Sequence, residues 1–195
     1  MKIILFLISY LVGSISWAVV ISRVFYKKDI RDFGSGNAGT TNIYRTFGKK
    51  VAFITFLLDF LKGFLPTFIG YRLFGNEGVL LAGLGAVLGH NWPIFFGFKG
   101  GKGIATSFGV FMAFNPIYAF ILVCVFFILV LLTKFVSLGS IGGAVVGVIL
   151  GIINILKENQ YIGILLLSLA TIAIYRHRQN ISRLLKGEEA KLGKK

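Results

Sequence analysis

The sequence predicts an all-α integral membrane protein of about seven transmembrane helices, one of them a short partial helix, with its N-terminus outside and its C-terminus cytoplasmic. Three observations predict this. The chain of 195 residues is 56% hydrophobic with a mean hydropathy of +0.83, which leaves too little polar surface to cover a soluble globule. Its apolar residues are gathered into runs close to the 20 or so residues that a bilayer core demands. Its 21 Lys and Arg against 7 Asp and Glu sit in the gaps between those runs. Cations placed there act as topology signals, contacts to anionic lipid or ligands for phosphate, and not as a nucleic-acid surface.

The first run, Ile3 to Val24, is longer than a signal-peptide core and ends at Arg23 and Lys27-Lys28 without a convincing cleavage pattern, so it reads as a retained first helix. Val51 to Phe74, Gly78 to Phe96, Ile104 to Phe114, Ile117 to Leu132, Val136 to Leu156 and Tyr161 to Tyr175 follow. The fourth of the seven, Ile104 to Phe114, is too short to cross alone and fits as a half-helix. A single domain over residues 1–195 is expected, without repeats and with a frayed lysine-rich end.

Orientation follows from the cations, which favour the cytoplasm in short connections. Lys27, Lys28, Arg31, Arg45, Lys49 and Lys50 fill one connection, Lys99 and Lys102 another, Lys134 a third, and Arg176, Arg178, Arg183 and Lys186 the tail. The connections around Asn76-Glu77, Asn115-Pro116 and Lys157-Glu158-Asn159 are short and nearly balanced. With an odd number of crossings, Gly34 to Arg45, Gly97 to Gly103 and Arg176 to Glu189 then meet at one cytoplasmic face. This convergence requires the short fourth segment to return across the bilayer.

Two features inside the runs concern packing. Gly139, Gly143, Gly147 and Gly151 recur every four residues and invite close approach of a neighbouring helix. Asp59 and Lys62 can neutralise each other on one helix face, as a structural pair or a functional one. Cys124 stands alone in an apolar run, so neither a disulfide nor a cysteine metal site is available.

The three polar strings carry the candidate chemistry. Gly34-Ser35-Gly36-Asn37-Ala38-Gly39 has the letters of a dinucleotide fingerprint, but a greasy helix and a charged linker precede it where that motif needs a strand. What remains is a glycine loop running into Thr40, Thr41, Asn42 and Arg45, whose guanidinium can grip a phosphate with two prongs. Gly97 to Lys102 is likewise no Walker loop, because a glycine follows the lysine where Ser or Thr is required. A glycine loop opening a half-helix still presents backbone N–H groups and a positive dipole end to an anion. Arg176-His177-Arg178-Gln179-Asn180 closes the last run, and a neutral His177 beside two arginines can accept a proton. A flexible basic turn and a stop-transfer cap are the plain alternatives for the last two strings. His90 is either a satisfied core histidine or part of the site.

Together, Gly34 to Asn42 with Arg45, His90-Asn91-Trp92-Pro93 with Gly100 to Gly103, and His177 to Asn180 with Arg183 and Glu188 resemble the three motifs of the bacterial membrane acyl-phosphate:glycerol-3-phosphate acyltransferase family. The resemblance spans essentially the whole chain. It implies transfer of an acyl group from acyl-phosphate to the 1-hydroxyl of glycerol 3-phosphate, giving lysophosphatidic acid and inorganic phosphate at the bacterial inner membrane, with the active site facing the cytoplasm. No cofactor, metal or obligate protein partner is implied; membrane lipids are the surroundings.

By resemblance Ser35, Arg45, His177 and Asn180 are the candidate catalytic residues, and Glu188 matches a carboxylate that supports structure. Gly36, Asn37, Thr41, Asn42, His90, Gly100, Gly101, Lys102, Gly103, Arg176 and Arg178 are the candidate substrate-binding residues. The proton acceptor stays open among His177, Ser35, His90 and the departing phosphate. From other classes, an anion or lipid transporter would spread its polar groups about a midplane site, and a structural subunit would leave the three strings without a shared purpose.

Overall fold

The computed structural model describes residues 1–157 and 159–193. Glu158, Lys194 and Lys195, and with them part of the 157–159 connection and of the lysine-rich end, lie outside the described residues. Among the described residues all regular structure is helical, and the chain forms two compact units, residues 1–114 and 115–195. By length and composition four stretches can cross a membrane, Lys2–Tyr26, Lys49–Phe96, Pro116–Thr133 and Val136–Leu156, and two shorter apolar helices accompany them. Large apolar side chains such as Ile3, Leu7, Phe53, Phe120 and Leu131 point outward, as a lipid-facing surface requires.

In the first unit, the single first helix read from the sequence is two, α1 (Lys2–Gly13) and α2 (Trp17–Tyr26). The break has a backbone cause. The Val19 amide donates to the Ser16 carbonyl at 3.0 Å, so the Ile15 carbonyl lacks its helical donor and instead accepts from Lys62 Nζ at 2.8 Å. A left-handed Lys27 ends α2. A 3-10 turn at Ile30–Asp32 and α3 (Thr40–Phe47) follow, the latter inside a polar string where no helix was expected. Ile43 of α3 packs with Ala18, Val19, Ile30, Ala38 and Ala52 in a buried cluster beneath the first glycine loop.

Helix α4 (Lys49–Asn91) contains the second predicted run and the third as far as Asn91, the end of the third forming a separate 3-10 turn at Ile94–Phe96. It is bent at Phe74–Gly75, where Gly75 takes a φ of 57°. Eight residues of straight helix would separate Gly70 from Gly78 by about 12 Å. Instead a methyl built on Gly70 would lie 2.6 Å from the Gly78 carbonyl oxygen, so the two arms fold back on each other. Glu77, at the bend, pairs with Lys2 at 2.7 Å. The second arm packs on α1, where a methyl on Gly85 would lie 2.6 Å from the Phe6 carbonyl oxygen. Helix α5 (Ile104–Phe114), with the predicted bounds, packs on the first arm through Gly63 and Gly109, which touch the Thr106 and Phe60 carbonyls.

The second unit contains α6 (Pro116–Thr133), α7 (Val136–Leu156), α8 (Gln160–Arg176) and α9 (Arg178–Leu185). Asn115 caps α6, its Oδ1 accepting from the Ile117 and Tyr118 amides, and Pro116 occupies the first turn, where its missing N–H costs nothing. The Tyr118 hydroxyl and the Asn154 amide bond across α6 and α7 at 2.9 Å. The glycine stripe of α7 packs helices, as its spacing suggested, but against two neighbours. A four-residue repeat drifts by roughly 40° per step at 3.6 residues per turn. Gly139 and Gly143 therefore meet Phe126 and Leu122 of α6, and Gly147 and Gly151 meet Ala170 and Leu167 of α8.

These contacts separate glycines that must stay glycine from those that need not. Gly109→Val drives a side chain into the Phe60 carbonyl and is expected to cost about 1–3 kcal/mol or more. Gly143→Ala, whose nearest neighbour would be 3.5 Å away, is expected to be neutral or slightly stabilising. Thermal unfolding of both variants in detergent checks this contrast.

Candidate active site

The first glycine loop is built by an asparagine. Asn42, in the first turn of α3 and 1% exposed, accepts from the Ser35 amide through Oδ1 at 3.0 Å. Its Nδ2 donates to the Ile30 carbonyl at 3.1 Å and the Phe33 carbonyl at 2.9 Å. One short side chain thus ties both ends of the loop. Gly34 has a φ of 57°, and a methyl there would overlap Asn42 Oδ1, so no other residue fits. Ser35 is left exposed at the tip, Asn37 and Thr41 are half-buried, and Arg45 is exposed in the last turn of α3.

The second loop leads from His90 to the start of α5. Gly101 donates its N–H to the His90 carbonyl at 3.1 Å. A methyl on Gly101 would overlap His90 Nε2 and lie 2.8 Å from the Ala38 carbonyl oxygen. The two glycine loops are therefore in direct contact, through Ala38 and Gly101. Gly100 and Gly103 are buried; a methyl on Gly100 would overlap the His90 carbonyl and one on Gly103 would lie 3.0 Å from Val87 and 3.1 Å from Asn91 Oδ1, whereas Lys102 is half-buried between them.

A charged clamp joins the same two loops, with Asp29 as N-cap of the 3-10 turn. Asp29 accepts from the Arg31 amide at 3.0 Å and pairs with Arg31 at 2.8 Å and Arg23 at 2.7 Å. Arg31 Nη1 then donates to the Phe96 carbonyl at 2.8 Å. The Arg31 hydrogen bond holds the Asp29 carboxyl well below the usual carboxylate range, and Asp29 raises Arg31 in return. A cleft of about 510 Å³, lined by Asp29, Arg31, Asp32, Gly36, Phe96, Gly97 and Lys99, opens between the loops.

In the second unit the third string is held by a carboxylate, and it is Glu189. Its Oε1 accepts from Asn180 Nδ2 at 2.6 Å and from the Ser137 hydroxyl at 2.7 Å, and its Oε2 accepts from Arg183 Nε at 2.7 Å. Burial alone would raise this carboxyl, but the bonds from Asn180, Ser137 and Arg183 outweigh it and lower the group below its ordinary value. His177 is buried, and its Nδ1 lies 2.8 Å from the Ala173 carbonyl. A carbonyl only accepts, so Nδ1 carries the hydrogen, and in the neutral ring Nε2 is the nitrogen that can take a proton. Arg176 is half-buried at the end of α8, and Arg178 stacks over the Tyr175 ring at 4.5 Å.

A family model described as glycerol-3-phosphate acyltransferase matches residues 3–187. A glycerol-3-phosphate acyltransferase of Finegoldia magna is 49% identical over 192 residues, covering 98% of this chain and 96% of the relative. One from Thermoanaerobacter pseudethanolicus is 48% identical over 189 residues, covering 97% and 94%. The chain belongs to the glycerol-3-phosphate acyltransferase family. Among solved structures it resembles PlsY (YgiH), an integral membrane glycerol 3-phosphate acyltransferase, in its glycerol 3-phosphate form, with a TM-score of 0.91 at 39% identity over 98% of this chain and 96% of that one. The lysophosphatidic acid form of PlsY gives 0.87 at 38% identity, over 98% and 95%.

For an acyltransferase of this family, one residue needs correcting. The supporting carboxylate was expected at Glu188, but Glu188 is exposed and Glu189 is the buried one. Adjacent glutamates look alike in sequence; the turn at Gly187, with a φ of 71°, decides which points inward. Sequence reasoning also passed over Asp29, Arg31 and the loop-tying task of Asn42. A signal for the clamp existed, since Asp29 is one of only 7 acidic residues and sits in a basic stretch. Within the first unit the structure brings Ser35, Gly36, Asn37 and Gly100 to Gly103 onto two touching loops, with Thr41 and Asn42 in the first turn of α3 and His90 at the end of α4 beside them.

Glu189→Ala is expected to destabilise the acyltransferase by about 3 kcal/mol, by leaving Arg183 and Asn180 without their partner, and Glu188→Ala by almost nothing; thermal melts compare them. Because Glu189 is lowered on folding, its contribution is fully present above the ordinary value of 4.5 and is lost as the pH falls through the folded value. A melt series from pH 7 downward should show the stability gap between wild type and Glu189→Gln closing in acid.

Proposed function

We propose that the chain transfers an acyl group from acyl-phosphate to the 1-hydroxyl of glycerol 3-phosphate, releasing lysophosphatidic acid and inorganic phosphate, as the first acylation of phospholipid synthesis. The observation that carries the reading is the contact between the two glycine loops, which sets two anion-receptive backbones side by side. Its acceptor and product are those named for the two PlsY structures. The acyl-phosphate donor rests on the motif resemblance.

Both substrates carry phosphate, each of roughly −1.5 to −2 charge if it behaves as a monoester, so the site must hold two anions that repel. Arg45 and Lys102 supply positive charge in the first unit, and the resemblance adds Arg176 or Arg178. The amides of Gly100 to Gly103 and the start of α5 supply oriented dipoles. Gly36, Asn37 and Thr41 belong to the first glycine loop and the helix start behind it, and Asn42 holds that loop in shape. The greasy helices hold the acyl chain.

The glycerol hydroxyl attacks the acyl carbonyl; the new ester C–O bond forms, and the bond from the acyl carbon to the phosphate oxygen breaks. The departing phosphate takes the hydroxyl proton on its newly released oxygen and leaves as hydrogen phosphate, so charge and protons balance. Orienting two bound reactants supplies about 7 to 11 kcal/mol of the barrier reduction. Ser35 acts by binding and not as an acylated nucleophile, because no His-Asp partnership in its string activates it. The motif resemblance also assigns His177 and Asn180 to this reaction, and we read all three strings as facing the cytoplasm of a bacterial inner membrane. The charge bias of the connections supports that orientation. Combined with an odd number of crossings, it puts the N-terminus outside.

Purified protein given acyl-phosphate and glycerol 3-phosphate is expected to release phosphate and lysophosphatidic acid in equal amounts, without coenzyme A or acyl carrier protein. A transporter or a structural subunit releases neither. Arg45→Lys keeps the charge but loses one prong of the grip, about 1.5–3 kcal/mol, so kcat/KM should fall at least tenfold.

A further inference from the structure

Two residues of the first arm of α4 are buried in the membrane-spanning part of the molecule and have no task in the proposed reaction. The Asp59 and Lys62 side chains are each 2% exposed, with Nζ 2.8 Å from Oδ1. A pair that did no more than cancel itself could be replaced by apolar residues at little cost, because desolvating two ions generally offsets their attraction. Each of these two reaches further. Lys62 Nζ also donates to the Ile15 carbonyl in the break of the first helix, at 2.8 Å. Asp59 Oδ1 faces His90 Nδ1 on the opposite arm at 3.6 Å, the range of a charge contact and longer than a hydrogen bond.

His90 is in turn pressed against the second glycine loop on two sides. Its carbonyl accepts the Gly101 N–H, and its ring lies where a Gly101 side chain would begin, beside the Ala38 carbonyl of the first loop. Only the imidazole separates the Asp59 carboxylate from the loop contact on which the proposed reaction depends. A carboxylate facing Nδ1 favours a hydrogen on that nitrogen and one tilt of the ring, as an acceptor behind a ligand-holding histidine does elsewhere.

We propose that Asp59 is a positioning residue for the second glycine loop, which by the motif resemblance binds glycerol 3-phosphate: it fixes the His90 ring, the ring fixes Gly100 to Gly103 against Ala38, and Lys62 anchors Asp59 to the break between α1 and α2. The inference rests on the acyltransferase reading of the same site. Its effect falls on binding of the acceptor and not on the chemical step.

Removing either charge alone leaves the other buried and unpaired, so the test removes both. Asp59→Leu/Lys62→Met removes the carboxylate that faces His90, whereas Asp59→Asn/Lys62→Met keeps a neutral acceptor oxygen there. Steady-state kinetics are expected to show KM for glycerol 3-phosphate raised about tenfold or more in the leucine variant, the scale of losing a group that orients a ligand-holding histidine. The change in kcat should be smaller, and most of KM should return in the asparagine variant. Wild-type KM in the leucine variant, or equal impairment of both variants, overturns the proposal.

Should neither double variant fold, the wild-type protein decides. It has two histidines, so 15N-histidine NMR gives two rings, told apart with His177→Gln. The His90 Nδ1 should carry a hydrogen, and its ring signal should shift on addition of glycerol 3-phosphate alone; a bare Nδ1 or an unmoved signal overturns the proposal. Wild-type protein without turnover would instead sink the acyltransferase reading itself.

Discussion

In hydrocarbon there is no water to satisfy a backbone group or a charge that its own helix leaves unpaired. The first unit is arranged around that constraint. The first helix breaks before Ser16 and releases the Ile15 carbonyl; Lys62 reaches across from α4 to fill it, and Asp59 neutralises Lys62. Because Asp59 also faces His90, the repair of a broken helix is mechanically continuous with the loop at Gly101. A stability requirement and a candidate binding element share the same atoms.

Close glycine packing is the second consequence of the lipid setting. Helices surrounded by apolar solvent gain little from burying apolar side chains against each other, and gain more from bringing backbones together. Gly13, Gly85 and Gly89 bring α1 onto the second arm of α4, and Gly63 and Gly109 bring α5 onto the first. Those contacts set the height at which the half-helix α5 begins, and so where Gly100 to Gly103 lie. The glycines of the loops serve another end, since Gly34 and Gly103 adopt positive φ so that Asn42 and Asn91 can lie close to the backbone.

The polar strings are ordered by side chains that bind the protein itself. Asn42 spends its amide on Ser35, Ile30 and Phe33, and Glu189 spends its carboxylate on Asn180, Ser137 and Arg183. In the first unit Asn42 leaves the exposed Ser35 and Arg45 on an ordered stretch, with the loop entropy already removed. Candidate binding residues and the residues that hold them thus alternate along one short stretch. Letter patterns alone cannot separate the two roles.

The sequence by itself determined the apolar runs, and with them the helices: α5 and α7 have the bounds that hydropathy gave, because a run of apolar residues in lipid has no other way to satisfy its backbone. It also marked the three polar strings, since glycines, hydroxyls and cations between greasy runs have few other uses. Tertiary structure alone decided the break at Ser14–Ser16, the fold-back at Phe74–Gly75, the helices α3 and α9 within polar strings, the Asp29–Arg31 clamp and the choice of Glu189 over Glu188. Each of these depends on a partner far away in the chain or on a single backbone turn, and periodicity along a segment records only what that segment does with its own neighbours.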